Sequence, residues 1–255
     1  FYRLPPTCVG MTGTAFAGPT NRPISAVTGE EMGEVDRVAV EEIGLDLRRM
    51  MEHAGRGLTE VVLDHRRDDP VTVLAGNGGN GGGGLSCARH LVNRGLPVHI
   101  VLDRDPAEFD GVSNEQLRIL ESMDVPIEAA GAAGSGADID APLDGVVVDA
   151  LIGYGLAGAP RGAAAELIAA ADDRAGSVVS LDVPSGINAT TGESPGTAVD
   201  PDVTATLALP KTGLAAVSGD LLLVDLSIPS TVYDRLGIEY ESPFGDEFVI
   251  PLSKA

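Results

Sequence analysis

The stretch that most constrains this chain is Ala75-Gly76-Asn77-Gly78-Gly79-Asn80-Gly81-Gly82-Gly83-Gly84. Seven glycines in ten positions let a backbone turn sharply and come close to whatever it faces. The run stands between Val71–Ala75, a short apolar strand signal, and Leu85–Asn93, a helical one. A glycine loop that leaves a strand and opens a helix offers free N–H groups at a helix N-terminus, where phosphate is stabilised.

The same alternation runs along the chain. Thr28 followed by Glu31 reads as a capping box, and Met32, Val35, Val38 and Ile43 give the first helix its apolar positions. A second helix, Leu45–His65, carries Met50, Met51, Ala54, Leu58, Val61 and Val62 on one stripe. Beyond it, Val98–Leu102, Val125–Glu128, Gly145–Ile152, Ser177–Val183, Val203–Leu209 and Leu221–Leu226 read as strands. Helices are expected over Ser113–Ser122 and Ala163–Asp172, and a Gly/Ala loop over Ala129–Ala141. Continuous apolar strands separated by helices predict a parallel sheet covered on both faces. The expected fold is α/β: a three-layer αβα sandwich with a Rossmann-like, mostly parallel sheet behind two extra N-terminal helices. A single domain over 24–255 is expected, after a disordered leader over 1–23.

Composition excludes some functions. With 38 acidic against 17 basic side chains the formal charge is −21, which disfavours nucleic acid and anionic lipid as partners. No run of eighteen apolar residues exists to span a membrane. Only Lys211 and Lys254 are lysine, and acid in excess with lysine nearly absent resembles the cytosolic proteins of salt-loving archaea. Cys8 and Cys87 make no disulfide framework, and the four histidines show no zinc spacing. The N-terminal stretch lacks a secretory pattern, so a cytoplasmic location is expected.

Two readings of the glycine run compete. Gly76, Gly78 and Gly81 fit G-x-G-x-x-G, and Asp103 past the next strand fits the ribose-binding acid of a Rossmann NAD-dependent oxidoreductase. That reading leaves three strand ends unexplained: Val148-Asp149-Ala150-Leu151-Ile152-Gly153-Tyr154-Gly155, Asp182-Val183-Pro184-Ser185-Gly186, and Pro210-Lys211-Thr212-Gly213. Each places polar or glycine residues just past an apolar strand, where open α/β sheets bind ligands. Asp149, ending an apolar strand, needs a cation or a hydrogen-bond network as partner.

With Met51-Glu52-His53-Ala54-Gly55-Arg56 and the helix Leu85-Ser86-Cys87-Ala88-Arg89-His90-Leu91, these motifs in this order resemble the YjeF N-terminal domain family, the NAD(P)HX epimerases. The resemblance runs from Ile24 to Ile228. It implies epimerisation of the R and S forms of hydrated NADH and NADPH, so that a dehydratase can restore the S form. At 255 residues the chain is expected to lack that dehydratase, which would act from a separate protein. A homodimer is expected from the family.

By position, the resemblance implies that Gly79, Asn80, Gly81, Gly82 and Gly83 hold the diphosphate. Gly153, Tyr154, Gly155, Leu156, Ala157, Gly158 and Ala159 would form a second wall. Asn80, Asp149 and Ser185 match a potassium site. Asp182 would contact the ligand and serve as acid and base. Lys211 would stabilise phosphate or developing negative charge, or act as a structural contact. The chain departs from the family at Gly83, where relatives carry Asp, and at His53, where they carry Asn. A non-catalytic nucleotide-binding or scaffolding member is the alternative within the family.

Overall fold

The computed structural model describes residues 16–66, 69–130 and 141–254. Two short strands, β1 (Phe16–Ala17) and β2 (Pro23–Ile24), precede helix α1 (Gly29–Arg37). Thr28 caps α1 reciprocally: the Glu31 N–H donates to Thr28 Oγ1 at 3.1 Å, and the Thr28 N–H to the Glu31 carboxylate at 2.8 Å. The helix widens into a π turn over Val38–Ile43 and stops at Gly44, whose φ is +81°. Asp46 caps α2 (Leu47–His65).

There follow β3 (Val71–Ala75), α3 (Gly79–Val92), β4 (Val98–Leu102), α4 (Gly111–Glu121), β5 (Ile127–Ala129) and β6 (Val146–Ala150). Then come α5 (Gly162–Arg174), β7 (Ser177–Leu181), β8 (Val203–Leu207), β9 (Asp220–Val224), α6 (Ser230–Leu236) and β10 (Val249–Lys254). The strands form one sheet in the order β2-β1-β10-β9-β8-β7-β6-β3-β4-β5. From β9 to β5 every neighbouring pair is parallel, whereas β10 and β1 join antiparallel.

Helices α2, α3 and α4 cover one face, where Leu58, Val61, Leu85, Leu91 and Leu117 close on Val73, Val148 and Val179. On the other face α5 sets Leu167, Ile168 and Ala171 against Leu74, Val101 and Val147. The expected three-layer, mostly parallel α/β architecture is the one observed. No helix among the described residues is long and apolar enough to cross a membrane.

Three expectations are corrected. The glycine run is not a loop up to Leu85, because α3 already begins at Gly79. Helix propensity disfavours glycine here, and tertiary packing overrides it. A Cβ at Gly81 would collide with the Gly76 carbonyl oxygen, and one at Gly84 with Ala150 Cβ, so the helix start lies directly on the strand ends. The leader expected over 1–23 is structured in its described part: Phe16 is buried, and Phe16–Ala17 pairs with β10. Residues 1–15 lie outside the described residues, as does 131–140 of the expected Gly/Ala loop. Strand β10 escaped notice because Pro251 interrupts its run. It is tolerated because β1 covers β10 only at Ser253 and Lys254, leaving Pro251 without an outer neighbour.

The chain runs outward from β3 through β4 to β5, then returns to place β6 on the other side of β3. That reversal opens a crevice between α3 and the loop after β6, the usual ligand position in such sheets.

Candidate active site

At the reversal two backbones touch. The Gly76 N–H donates to the Ala150 carbonyl at 3.2 Å, and a Cβ on Gly76 would collide with the Leu151 carbonyl oxygen. Above this contact lies a cavity of about 610 Å³. Gly78, Gly79 and Asn80 form one wall, Gly153, Tyr154 and Gly155 a second, and Met32, Asp36, Met50 and Met51 a third. Asp182 and Lys211 also line it.

Asp182 and Lys211 are both buried, at 3% and 1% exposure. Lys211 Nζ donates to Asp182 Oδ1, to the Leu207 carbonyl at 2.8 Å and to Thr206 Oγ1 at 3.4 Å. All three of its donors thus have protein acceptors. Of the roles expected for Lys211, the structural contact is the one seen: its ammonium holds Asp182. The Leu207 N–H adds a second bond to Asp182 Oδ1 at 3.2 Å, and Oδ2 carries no hydrogen bond among the described residues. The Asp182 backbone sits at φ +66°, a left-handed conformation that aspartate tolerates better than most residues.

Asp149 lies behind the cavity, fully buried. Its Oδ1 accepts from Ser185 Oγ at 2.5 Å and the Leu151 N–H at 3.3 Å. Its Oδ2 accepts from Ser180 Oγ and the Ser185 N–H, both at 2.8 Å. Burial pushes this carboxyl above its ordinary value, and the donated hydrogen bonds oppose the shift. Every one of these donors is neutral, so an ionised Asp149 has no counter-charge among its hydrogen-bond partners. Asn80 reaches toward the same turn, lying against Gly153, and its Nδ2 is buried without a partner. Of the residues expected to hold potassium, Asp149 and Ser185 are hydrogen-bonded to each other and Asn80 lies against Gly153. Their carboxylate, hydroxyl and amide oxygens are the hard donors such a cation takes, whereas the unpartnered Asn80 Nδ2 is a hydrogen-bond donor and no ligand for it. Among the described residues no group of three or more His, Cys, Asp or Glu is arranged to hold a metal.

Other expected contacts are narrower than the motifs imply. In α3 the amides of Gly79, Asn80 and Gly81 have no intrahelical acceptor, whereas the Gly82 N–H already donates to the Gly78 carbonyl at 2.9 Å. Gly82 is buried against Met51, and a Cβ at Gly83 would lie 2.8 Å from Leu181 Cδ2. Both glycines serve packing, as does Gly81, buried against Gly76, so of the five residues expected to hold the diphosphate only Gly79 and Asn80 line the cavity. Leu156, Ala157 and Gly158 line a separate surface depression with Asn188 and Glu193, and Ala159 packs beside Gly196. The second wall thus reduces to Gly153, Tyr154 and Gly155. Asp103 lines the cavity but accepts a bidentate pair from Arg104, at 2.8 and 2.9 Å. The acid that the dehydrogenase reading assigned to a ribose is already engaged.

One cavity residue went unnoticed. Tyr154 donates its hydroxyl to Asp36 Oδ2 at 2.5 Å. Burial raises the Asp36 carboxyl above its ordinary value, with the Tyr154 bond and nearby Lys211 opposing and Asp182 adding to the rise. A signal was present: Asp36 falls on the buried stripe of Met32, Val35 and Ala39 in α1 and its π turn, where a carboxylate has to have a partner.

Fold and site together define a doubly wound α/β protein with a ligand cavity at its strand-order reversal. The chain belongs to the family described as YjeF-related protein N-terminus, which matches residues 47–213. An NAD(P)H-hydrate epimerase from Dehalogenimonas lykanthroporepellens is 44% identical, covering 93% of this chain and 97% of its own. A bifunctional NAD(P)H-hydrate repair enzyme from Hyperthermus butylicus is 38% identical over 80% of this chain, which spans 38% of that protein. The crystal structure of yeast ynu0 has a TM-score of 0.73 at 24% identity, covering 89% of this chain and 100% of that one; it speaks for the fold alone. The membership read from the ordered motifs is borne out. The likeness to salt-loving archaea is not borne out by these relatives.

Proposed function

We propose that this chain is an NAD(P)H-hydrate epimerase, interconverting the R and S forms of hydrated NADH and NADPH in cofactor repair. The observation that carries the reading is the buried Asp182–Lys211 pair, set in the cavity that the first residues of α3, Gly79 and Asn80, also line. Relatives of closely similar sequence bear that activity in their names.

Epimerisation opens the carbon–oxygen bond at the hydrated ring carbon and re-forms it on the other face. The ring nitrogen's lone pair expels the hydroxyl as an acid protonates it, and a base then assists the returning water. Asp182 has one oxygen held by Lys211 and Leu207 and the other without a hydrogen bond among the described residues, which suits it to proton transfer at that carbon. Lys211 fixes the carboxylate and balances its charge. The amides of Gly79 and Asn80, at the positive end of α3, receive the diphosphate. Asn80, Asp149 and Ser185 would hold a potassium ion, which supplies positive charge next to that cradle. A separate dehydratase acting on the S form, a homodimer and a cytoplasmic setting belong to the same proposal.

A binding-only protein is the second reading. It is favoured by Gly83, where the family's carboxylate is missing and Leu181 takes the space. The discriminating experiment follows R-to-S conversion chromatographically. Asp182→Asn should lower kcat by roughly 10²-fold or more with the fold retained. A folded Asp182→Asn protein that epimerises at the wild-type rate would remove Asp182 from the mechanism, and a wild type that binds without converting would establish the second reading.

A further inference from the structure

We propose that Tyr154 and Asp36 form a second proton-transfer site for this reaction, a hydroxyl–carboxyl relay in the same cavity as the Asp182–Lys211 pair. The inference rests on the epimerase reading above. Its first support is geometric. The Tyr154 hydroxyl, from the loop after β6, donates to Asp36 Oδ2 of α1 at 2.5 Å, and both residues line the cavity. A bond this short between a hydroxyl and a carboxyl group is strong, and when Asp36 is protonated the same contact carries its proton to Tyr154.

The second support is what inversion demands. Hydroxide leaves one face of the ring and water arrives on the other, so a proton donor and a proton acceptor are needed on opposite sides. Asp182 is anchored through Oδ1 by Lys211 and the Leu207 N–H, so its free oxygen serves one side only. A second device has to serve the other. The third support is cost. Asp36 occupies the stripe where Met32 and Val35 are buried, and a carboxyl there is expensive to desolvate. The charged or titratable groups that act on Asp36 from the elements around it are Tyr154, Lys211 and Asp182, and Asp36 in turn acts on Tyr233 of α6. Burial favours the protonated form of Asp36, which lets it carry a proton to be given.

The step balances. As the ring nitrogen's lone pair forms a carbon–nitrogen double bond, the carbon–oxygen bond breaks. The departing hydroxide takes the Tyr154 proton, Tyr154 takes the Asp36 proton, and water and an Asp36 carboxylate result. Water then adds to the same carbon from the other face, its proton passes to Asp182, and the electron pair returns to nitrogen. Solvent carries the proton from Asp182 back to Asp36, and no oxidant or reductant is involved. The opposite epimer uses the same groups in reverse.

The test is steady-state epimerisation by wild type, Tyr154→Phe, Asp36→Asn and the double variant, on NADHX resolved by chromatography across a pH series. Each single variant should lose roughly 10²-fold in kcat with KM changed by less than about threefold. The double variant should be no slower than the worse single one, because one relay has been broken twice. The limb of the wild-type pH profile that belongs to Asp36 should vanish in both single variants. Wild-type kcat in Tyr154→Phe, a loss confined to KM, or additive losses would overturn the relay, since a purely structural tie would act in those ways. Should Asp36→Asn fail to fold, Tyr154→Phe, which keeps the ring, decides alone. A wild type without epimerase activity overturns the function and the relay together, whereas an active wild type with active variants overturns the relay only.

Discussion

Lys211 and Asp182 each would be costly alone at their depth, and each offsets the other. Breaking such a pair leaves one buried charge without a partner, which destabilises by about 3–5 kcal/mol. Lys211→Met should therefore lower the urea midpoint by that equivalent and abolish epimerisation. Adding Asp182→Leu to it should recover much of the stability and none of the activity. A Lys211→Met protein as stable as wild type would show that the pair is not the structural unit described. At this scale the sequence was partly legible. Asp149, Asp182 and Lys211 stood out because each follows an apolar run, and Lys211 because lysine is so scarce here. What Lys211 touches was not legible, since its acceptors at Asp182 and Leu207 depend on how β7 and β8 end side by side. Asp36 was overlooked because its partner, Tyr154, is 118 residues away.

Among the elements, α3 carries the most information. Its glycines read as a phosphate-cradling loop, yet most of them are helical and packed: Gly81 on Gly76, Gly82 on Met51 and Gly84 on Ala150. Sequence alone shows that side chains are absent there, and only the fold shows that neighbours fill the space. The distinction is measurable. Gly81→Ala, whose new methyl would meet backbone, should cost at least about 3 kcal/mol. Gly79→Ala, with nothing within 4 Å, should be neutral or stabilising by less than about 1 kcal/mol while weakening nucleotide binding. Equal effects on thermal midpoint from the two substitutions would contradict the packed-helix account. The central strands were read closely, from Val71–Ala75 to Val203–Leu207, because buried parallel strands are continuous apolar runs. Strand β10 and helix α6 were not, since Pro251 interrupts the first and the second is only seven residues long, between Pro229 and Gly237.

For the whole molecule, a formal charge of −21 has to accommodate a polyanionic ligand. The solution is local: the amides of Gly79 and Asn80 at the start of α3 and Arg161 in the cavity lining place positive potential inside an acidic shell. The acidic exterior should make stability salt-dependent. Raising sodium chloride from about 0.01 to 1 M shortens the screening length from about 30 to 3 Å, so the melting midpoint should rise by at least about 3 °C. An unchanged midpoint would mean that self-repulsion costs the fold nothing. The central claim is chemical and has a more direct test. A mixture of R and S NADHX is given to an S-specific dehydratase, which consumes the S form and leaves R behind. Adding this protein should drain the residual R completely, at a rate proportional to its concentration. Residual R that persists at every protein concentration would contradict the account.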